Sequence, residues 1–267
     1  MFKTDFITHE QEEYYHAQSK SGKYMSSHML SDFKNSPLLY HKTISGLINE
    51  KPSTAFAIGS AAHKIILEGD AFDAEYTVSD GPINPKTGAP YGSTTKAFLE
   101  WAETQPGKII SGSDFEFITQ LRTSVYFHPI ASELLAIGEA EGVARAELCG
   151  VPCQIRMDFF SPEHGLIDLK TCAELRWFES DVHRYGYLYQ LGFYRAVIRE
   201  LLGVDVPVGI IAVEKCEPYS AGVWDIAPNV LDQAELVNNA ALQRFKRCKE
   251  TGCWPTGFED IRLIDTL

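Results

Sequence analysis

Three ionisable residues in one short stretch, CQIRMDFFSPEHGLIDLKT (residues 153–171), could hold a divalent cation beside a fixed positive charge: Asp158, Asp168 and Lys170. The stretch reads as two strands joined by Ser161-Pro162-Glu163-His164-Gly165, a loop of turn-forming residues. Side chains alternate along a strand, so Asp168 and Lys170 share one face while Ile167 and Leu169 take the other. With 161–165 as the loop, Phe160 pairs with Leu166 and Asp158 falls opposite Asp168. Directly opposed Cβ atoms lie roughly 4.5–5.5 Å apart, where like charges repel. A divalent cation taking an oxygen from each carboxylate compensates them, with Lys170 alongside. The same register sets Arg156 against Lys170, a second like-charge pair, which strand twist or an Arg156 reaching outward to a phosphate would relieve.

The elements that must position these residues come from a 267-residue chain, enough for one large domain or two small ones with a substantial core. Its 45% hydrophobic and 22% charged residues fit a soluble globular protein. No apolar run approaches the ~20 residues needed to span a bilayer, so no membrane partner is expected. The start, MFKTDFITHEQEEYY, has no signal-peptide pattern, and a cytoplasmic location is expected. A formal net charge of −12 argues against a general nucleic-acid-coating protein, though a local basic lining remains compatible with it. The six cysteines form no CxxC pair, which favours reduced thiols over a metal–sulfur site.

Residues 1–45 are polar and aromatic, with Tyr14, Tyr15, His16, Lys20, Lys23, Tyr24 and Lys34, and a short helix is expected over Ser27 to Lys34. This arm suits either contact with nucleic acid or packing as a strap over the core. From Ser53 a helix is expected, with Ile58, Ala62, Ile65 and Ile66 as its buried stripe and His63 beside it. Residues 73–93 read as a loop or flap. Helices follow at 94–104, at 113–126 with a Ser113/Glu116 capping box, and at 130–137.

A strand over 143–148 puts Arg145 and Glu147 on its polar face. Glu147 either joins Asp158 there or is an ordinary exposed glutamate. A single helix is expected from Phe178 to Leu202, with His183, Tyr187, Gln190 and Tyr194 on one stripe. A strand pair at 206–214 and 220–225 precedes a last helix over 229–249. Its Arg244, Lys246, Arg247 and Lys249 suit either a phosphate or the helix C-terminus. The chain carries no internal repeat and no low-complexity segment.

Taken in order, GSAAH (59–63), Asp158, DLK (168–170) and QLGFY (190–194) resemble the PD-(D/E)xK nuclease superfamily, in its RecB-like branch. IDLKT followed by YGYLYQLGFY, with SPLLYH and IGSAAHKIILEGD upstream, resembles the RecE, or exonuclease VIII, type of phage and prophage exonuclease. The resemblance runs from about Tyr24 to the last helix. Met157 stands where the superfamily has its proline, and Asp168 where it often has glutamate.

The resemblance implies an α/β (α+β) fold: a restriction-endonuclease-like core with a central mixed β-sheet flanked by helices. Residues 46–267 would form a single nuclease domain, with 1–45 as an N-terminal arm on or near it. It implies Mg²⁺, with Mn²⁺ able to substitute, held by His63, Asp158, Asp168 and the Leu169 backbone carbonyl. Lys170 would be catalytic together with Asp158 and Asp168, with Gln190 and Tyr194 positioning groups and Glu147 a further candidate. Arg156, Tyr187, Lys20 and Lys23 would contact DNA. The activity implied is 5′ to 3′ exonuclease digestion of linear double-stranded DNA in recombination or end resection, in a bacterial or phage-infected cell. A ring-shaped homo-oligomer and a single-strand annealing recombinase as partner are implied as well. The rival readings are an endonuclease or single-strand-specific nuclease on the same fold, a non-catalytic DNA-binding or assembly protein, and a metal-binding structural domain.

Overall fold

The computed structural model describes residues 1–48, 56–261 and 263. An arm of three helices, α1 (Glu12–Lys20), α2 (Ser27–Asn35) and α3 (Pro37–Ile44), comes first. α4 (Phe56–Leu67), α5 (Phe72–Glu75), β1 (Tyr76–Val78), α6 (Lys96–Ala102), β2 (Lys108–Ile110), α7 (Gly112–Phe127) and α8 (Pro129–Leu134) follow. The main sheet is then built from β3 (Glu139–Leu148), β4 (Val151–Ser161) and β5 (Gly165–Cys172). After α9 (Phe178–Arg184) and α10 (Tyr187–Leu202), β6 (Val208–Glu214) and β7 (Ala221–Asp225) complete it, and α11 (Pro228–Thr251) closes the chain.

The five strands lie in the order β3-β4-β5-β6-β7, antiparallel except for the β5–β6 pair. A parallel pair needs a crossover, and α9 and α10 supply it. The result is the mixed sheet flanked by helices that the motifs imply. β1 and β2 form a separate parallel pair.

Each face of the sheet buries its own core. Cys153, Ile155, Met157, Leu166, Ile210 and Ala212 face α2, α10 and α11. Ile167, Leu169, Ile211 and Val213 face the other way, onto Ala62, Ile66, Ile118 and Leu121 of α4 and α7. Such two-sided burial is what near-continuous apolar strands like β6 require. The first 45 residues contribute Met25, Leu30, Phe33 and Tyr40 to the first core. Gln154, fully buried under α1, donates to the Tyr15 carbonyl (2.8 Å) and Ser19 Oγ (2.6 Å). The arm is therefore packed as a strap. Among the described residues no helix is long and apolar enough to cross a membrane.

Several sequence expectations shift. The expected start of α4 at Ser53 lies outside the described residues. Within the helix Ile58 is exposed and Ala61 takes its place in the buried stripe. A further helix, α3, follows α2 at once: Ser36 caps it, accepting the Leu39 N–H, and Pro37 opens it. The cap of α7 is Ser111, two residues before the expected capping box. The expected helix over 178–202 breaks at Gly186 (φ 70°), so His183 sits on α9, exposed, off the α10 stripe. Arg244 donates to the Phe33 and Lys34 carbonyls, a structural use of the C-terminal basic cluster.

Candidate active site

The β4–β5 hairpin keeps the register read from its loop, with Phe160 opposite Leu166 and Ser161 opposite Gly165. Pairing stops at Phe159–Ile167, one step short of the two aspartates. Beyond it the strands part, and the Asp158 carboxylate fills the gap by accepting the Leu169 N–H at 2.8 Å. A strand residue directs its N–H and C=O to the same side, so the Leu169 carbonyl faces this gap too. The parting also removes the expected clash of Arg156 with Lys170. Arg156 pairs across β3 with Val143 and donates from Nε to Glu141 Oε2 at 2.5 Å. The alternation of β4 changes phase at the same point: Phe160, not Phe159, continues the face of Cys153, Ile155 and Met157.

Helices from both faces meet at the opening. From α4, His63 brings Nδ1 to 3.7 Å from Asp158 Oδ2. From β3, Glu141 stands opposite Asp158, and ligand atoms of His63, Glu141 and Asp158 all lie within 4.8 Å of one another. Burial first, then Lys170, pull the His63 imidazole down to about 4, so it is neutral and able to ligate at neutral pH. Burial and the Asp158 charge push Glu141 up to about 7, outweighing Arg156.

Asp168 and Lys170 face α10. Asp168 is 1% exposed, and Lys170 Nζ lies 2.6 Å from its Oδ2. Among the described residues Lys170 is the one polar group that meets its oxygens, and burial raises this acid to about 6 against the pull of Lys170. Burial works against the Lys170 ammonium, but Asp168 and Asp158 reverse that and leave its pKa raised. Tyr194 is buried, its phenol pushed up to about 12 by burial, and it accepts from Gln190 Nε2 at 3.3 Å. The Tyr187 ring lies 5.0 Å from Lys170 Nζ.

An unsatisfied buried carboxylate is costly unless something binds it. Asp168, whose buried oxygens meet only the Lys170 ammonium among the described residues, together with the neutral imidazole of His63 and the carboxylates of Glu141 and Asp158, fits a divalent cation. Residues 26–266 match the model of a family described as a PDDEXK-like domain of unknown function, DUF3799. The chain belongs to that family. The DUF3799 chain also resembles a solved structure from Eubacterium rectale described as a "Putative exonuclease", at 18% identity and TM-score 0.67, over 97% of this chain and 96% of that one. That likeness shows the fold. A search of curated proteins finds no match.

The structure thus brings together His63, Asp158, Asp168, Leu169, Lys170, Gln190 and Tyr194, with Tyr187 and Arg156 at the margin. It does not bring in Glu147. That residue is exposed opposite Pro152, six residues along β3 from Glu141, roughly 20 Å at ~3.3 Å per residue. Parity gave it the right face and the wrong end of the strand. Lys20 and Lys23 are exposed toward the Cys153 end of β4, where Gln154 and Met25 tie down the arm, and Lys23 lies over the Tyr24 ring. The part of the arm that approaches Arg156 carries Glu12 and Tyr15 instead. Glu141 was not foreseen. Its backbone is left-handed (φ 52°), a conformation that is strained for glutamate and typical of functional sites. The available signal was Gly142, a glycine within a strand.

Proposed function

We propose that this PDDEXK-like domain is a Mg²⁺-dependent deoxyribonuclease that digests linear double-stranded DNA as an exonuclease, 5′ to 3′, in recombination or end resection. The observation that carries the reading is the buried Asp168 carboxylate, met only by Lys170 among the described residues and opening onto His63, Glu141 and Asp158. His63, Asp158, Asp168 and the Leu169 carbonyl would hold Mg²⁺ or Mn²⁺, with Glu141 in the place first considered for Glu147. A cation bound there supplies a more acidic water and neutralises charge on the phosphate.

The remaining chemistry belongs to the chain's own groups. Lys170, kept protonated by the two carboxylates, orients the attacking water and stabilises charge building on the phosphorane oxygens. Tyr194 remains a neutral phenol and, held by Gln190, fixes the wall opposite the carboxylates. Arg156 and Tyr187 flank the entry for the phosphate backbone. A ring-shaped homo-oligomer would confine basic groups to a channel and reconcile DNA binding with the net charge of −12. A single-strand annealing recombinase would take up the strand left behind, in the cytoplasm of a bacterial or phage-infected cell.

End-labelled linear duplex incubated with protein and Mg²⁺ should shorten from its 5′ ends, and EDTA should stop it. Asp168→Ala and Lys170→Ala should each abolish turnover with an unchanged circular dichroism spectrum. Wild-type rates in both variants would overturn the assignment, and cutting of closed circular DNA would replace the exonuclease with an endonuclease.

A further inference from the structure

Directly beyond Lys170, the connection between α9 and α10 gathers aromatic rings at the surface. Tyr185, 58% exposed, ends α9, and Tyr187 opens α10, with ring centroids 5.8 Å apart and planes inclined by 31°. Tyr189, 42% exposed, packs beside Gly186, where an added Cβ would meet its ring at 3.5 Å. The left-handed Gly186 makes this cluster possible, because it turns the chain within one residue and brings the rings together.

Each ring has a cation over it. Arg184 Cζ is 5.5 Å from the Tyr185 centroid, Lys170 Nζ 5.0 Å from Tyr187 and Lys34 Nζ 4.2 Å from Tyr189. Lys34 is anchored from the arm by Asn238 Oδ1 at 3.1 Å, and Asn238 in turn donates to the Tyr189 carbonyl at 2.8 Å. Burial lowers the Lys34 ammonium to about 8. Its polar neighbours are an amide oxygen and a ring face, which leave its charge uncompensated. Tyrosines whose packing requires them are normally buried with the hydroxyl alone reaching water. Here two rings stand in solvent, and Tyr187, whose ring lies 5.8 Å from that of Tyr185, reaches Lys170 of the candidate active site.

We propose that Tyr185, Tyr187 and Tyr189, with Arg184 and Lys34, form a base-stacking track for an unpaired nucleic-acid strand entering the site at Lys170. This rests on the nuclease reading and narrows its substrate: the strand at the carboxylates is unpaired, as at a frayed end or an overhang. The cations meet phosphates, and the rings meet base faces. In an intact duplex those faces are already covered by neighbouring pairs, so rings in this position select bases that have left the stack. Aromatic stacking on unpaired bases contributes roughly 5- to 150-fold in affinity per base.

Fluorescence anisotropy on the full chain in Ca²⁺ tests this with three labelled probes: oligo-dT, an abasic strand of the same length and phosphate count, and a blunt duplex. Oligo-dT should bind about tenfold or more tighter than the abasic strand. Tyr185→Ala and Tyr189→Ala should erase that difference, whereas Tyr189→Phe, which keeps the ring, should preserve it. Circular dichroism establishes that the variants fold. Equal affinity for oligo-dT and the abasic strand overturns the track, as do alanine variants that weaken both strands alike, and so does tighter binding of the blunt duplex with the same dependence on the tyrosines. Hydrolysis with Mg²⁺ is measured separately. A protein that prefers oligo-dT but never cleaves DNA retains the track and loses the nuclease reading, and the converse holds for one that cleaves without base preference.

Discussion

Two clusters of buried charge lie on adjacent residues of α10, and they are built on opposite rules. Arg195, 2% exposed, donates to Glu235 Oε1 (2.7 Å), Asp232 Oδ1 (2.5 Å) and the Pro228 carbonyl (3.4 Å). Arg199 binds the other Glu235 oxygen (2.5 Å) and Asp205 (3.0 Å). Both oxygens of the buried Glu235 carboxylate are thus satisfied, and α10 is fastened to α11. One residue earlier, Tyr194 looks the other way, toward Asp158 and Asp168. There the most buried carboxylate, Asp168, meets only the Lys170 ammonium among the described residues, and its other oxygen has no partner. Equal burial therefore says little about purpose, and satisfaction decides it: saturated charge fastens, whereas unsaturated charge waits for a ligand.

The comparison is sharpened most by making the first cluster apolar and breaking the second. Asp168→Leu with Lys170→Met should lower turnover on linear DNA by about 10⁴-fold or more. The thermal midpoint should hold or rise, since a poorly satisfied ion pair is exchanged for packing. A midpoint that collapses would mean this pair fastens the fold as the other does. In the second cluster, Glu235→Ala leaves Arg195 buried without its main partner and should cost about 3–5 kcal/mol in urea unfolding. Turnover of the molecules still folded should stay close to wild type. Loss of turnover without loss of stability would break the distinction.

Much of the first cluster was legible in the sequence, because a Ser-Pro-Glu-His-Gly loop fixes hairpin register and a period of two then sets which side chains oppose. Alternation carries no information on where two strands stop pairing. The parting beyond Phe159–Ile167, and with it the Asp158–Leu169 hydrogen bond, therefore appears only in three dimensions. Glu141 was hidden because the expected strand starts only at Val143, whereas β3 begins at Glu139, and the left-handed backbone at Glu141 interrupts its alternation, which left Glu147 as the acid in view. The break at Gly186 was likewise invisible to a helical period that continues on both sides of it. The second cluster gave no local signal, since its partners lie about forty residues apart and meet only when α10 packs on α11.

A smaller effect tests whether Glu141 belongs with the unsaturated cluster. Glu141→Gln preserves shape and removes charge, and should weaken Mn²⁺ or Ca²⁺ binding by about 10- to 100-fold in calorimetry, with a modest change in unfolding free energy. Unchanged affinity would confine Glu141 to its ion pair with Arg156.

The finest test is the proton count on cation binding. Glu141, raised to about 7, and Asp168, raised to about 6, are both held up by burial first, so each keeps its proton further into the neutral range than a free acid does. Their contribution to stability without cation is present below the ordinary carboxylate range and is lost as pH rises through about 6 to 7. His63 has the opposite sign: lowered to about 4, it adds stability as pH rises from there toward its ordinary value, and it is already neutral when the carboxylates titrate. Binding near pH 6 must then expel about one to two protons, the larger share from Glu141 and the rest from Asp168, while binding near pH 8 expels almost none. Affinity should climb by more than about tenfold per pH unit below pH 6, where both acids hold their protons, and flatten toward pH 8. Calorimetry in two buffers of different ionisation enthalpy reads this directly. Proton release that persists at pH 8 would mean that His63 is charged in the free protein, and that Asp158, not burial, sets its state.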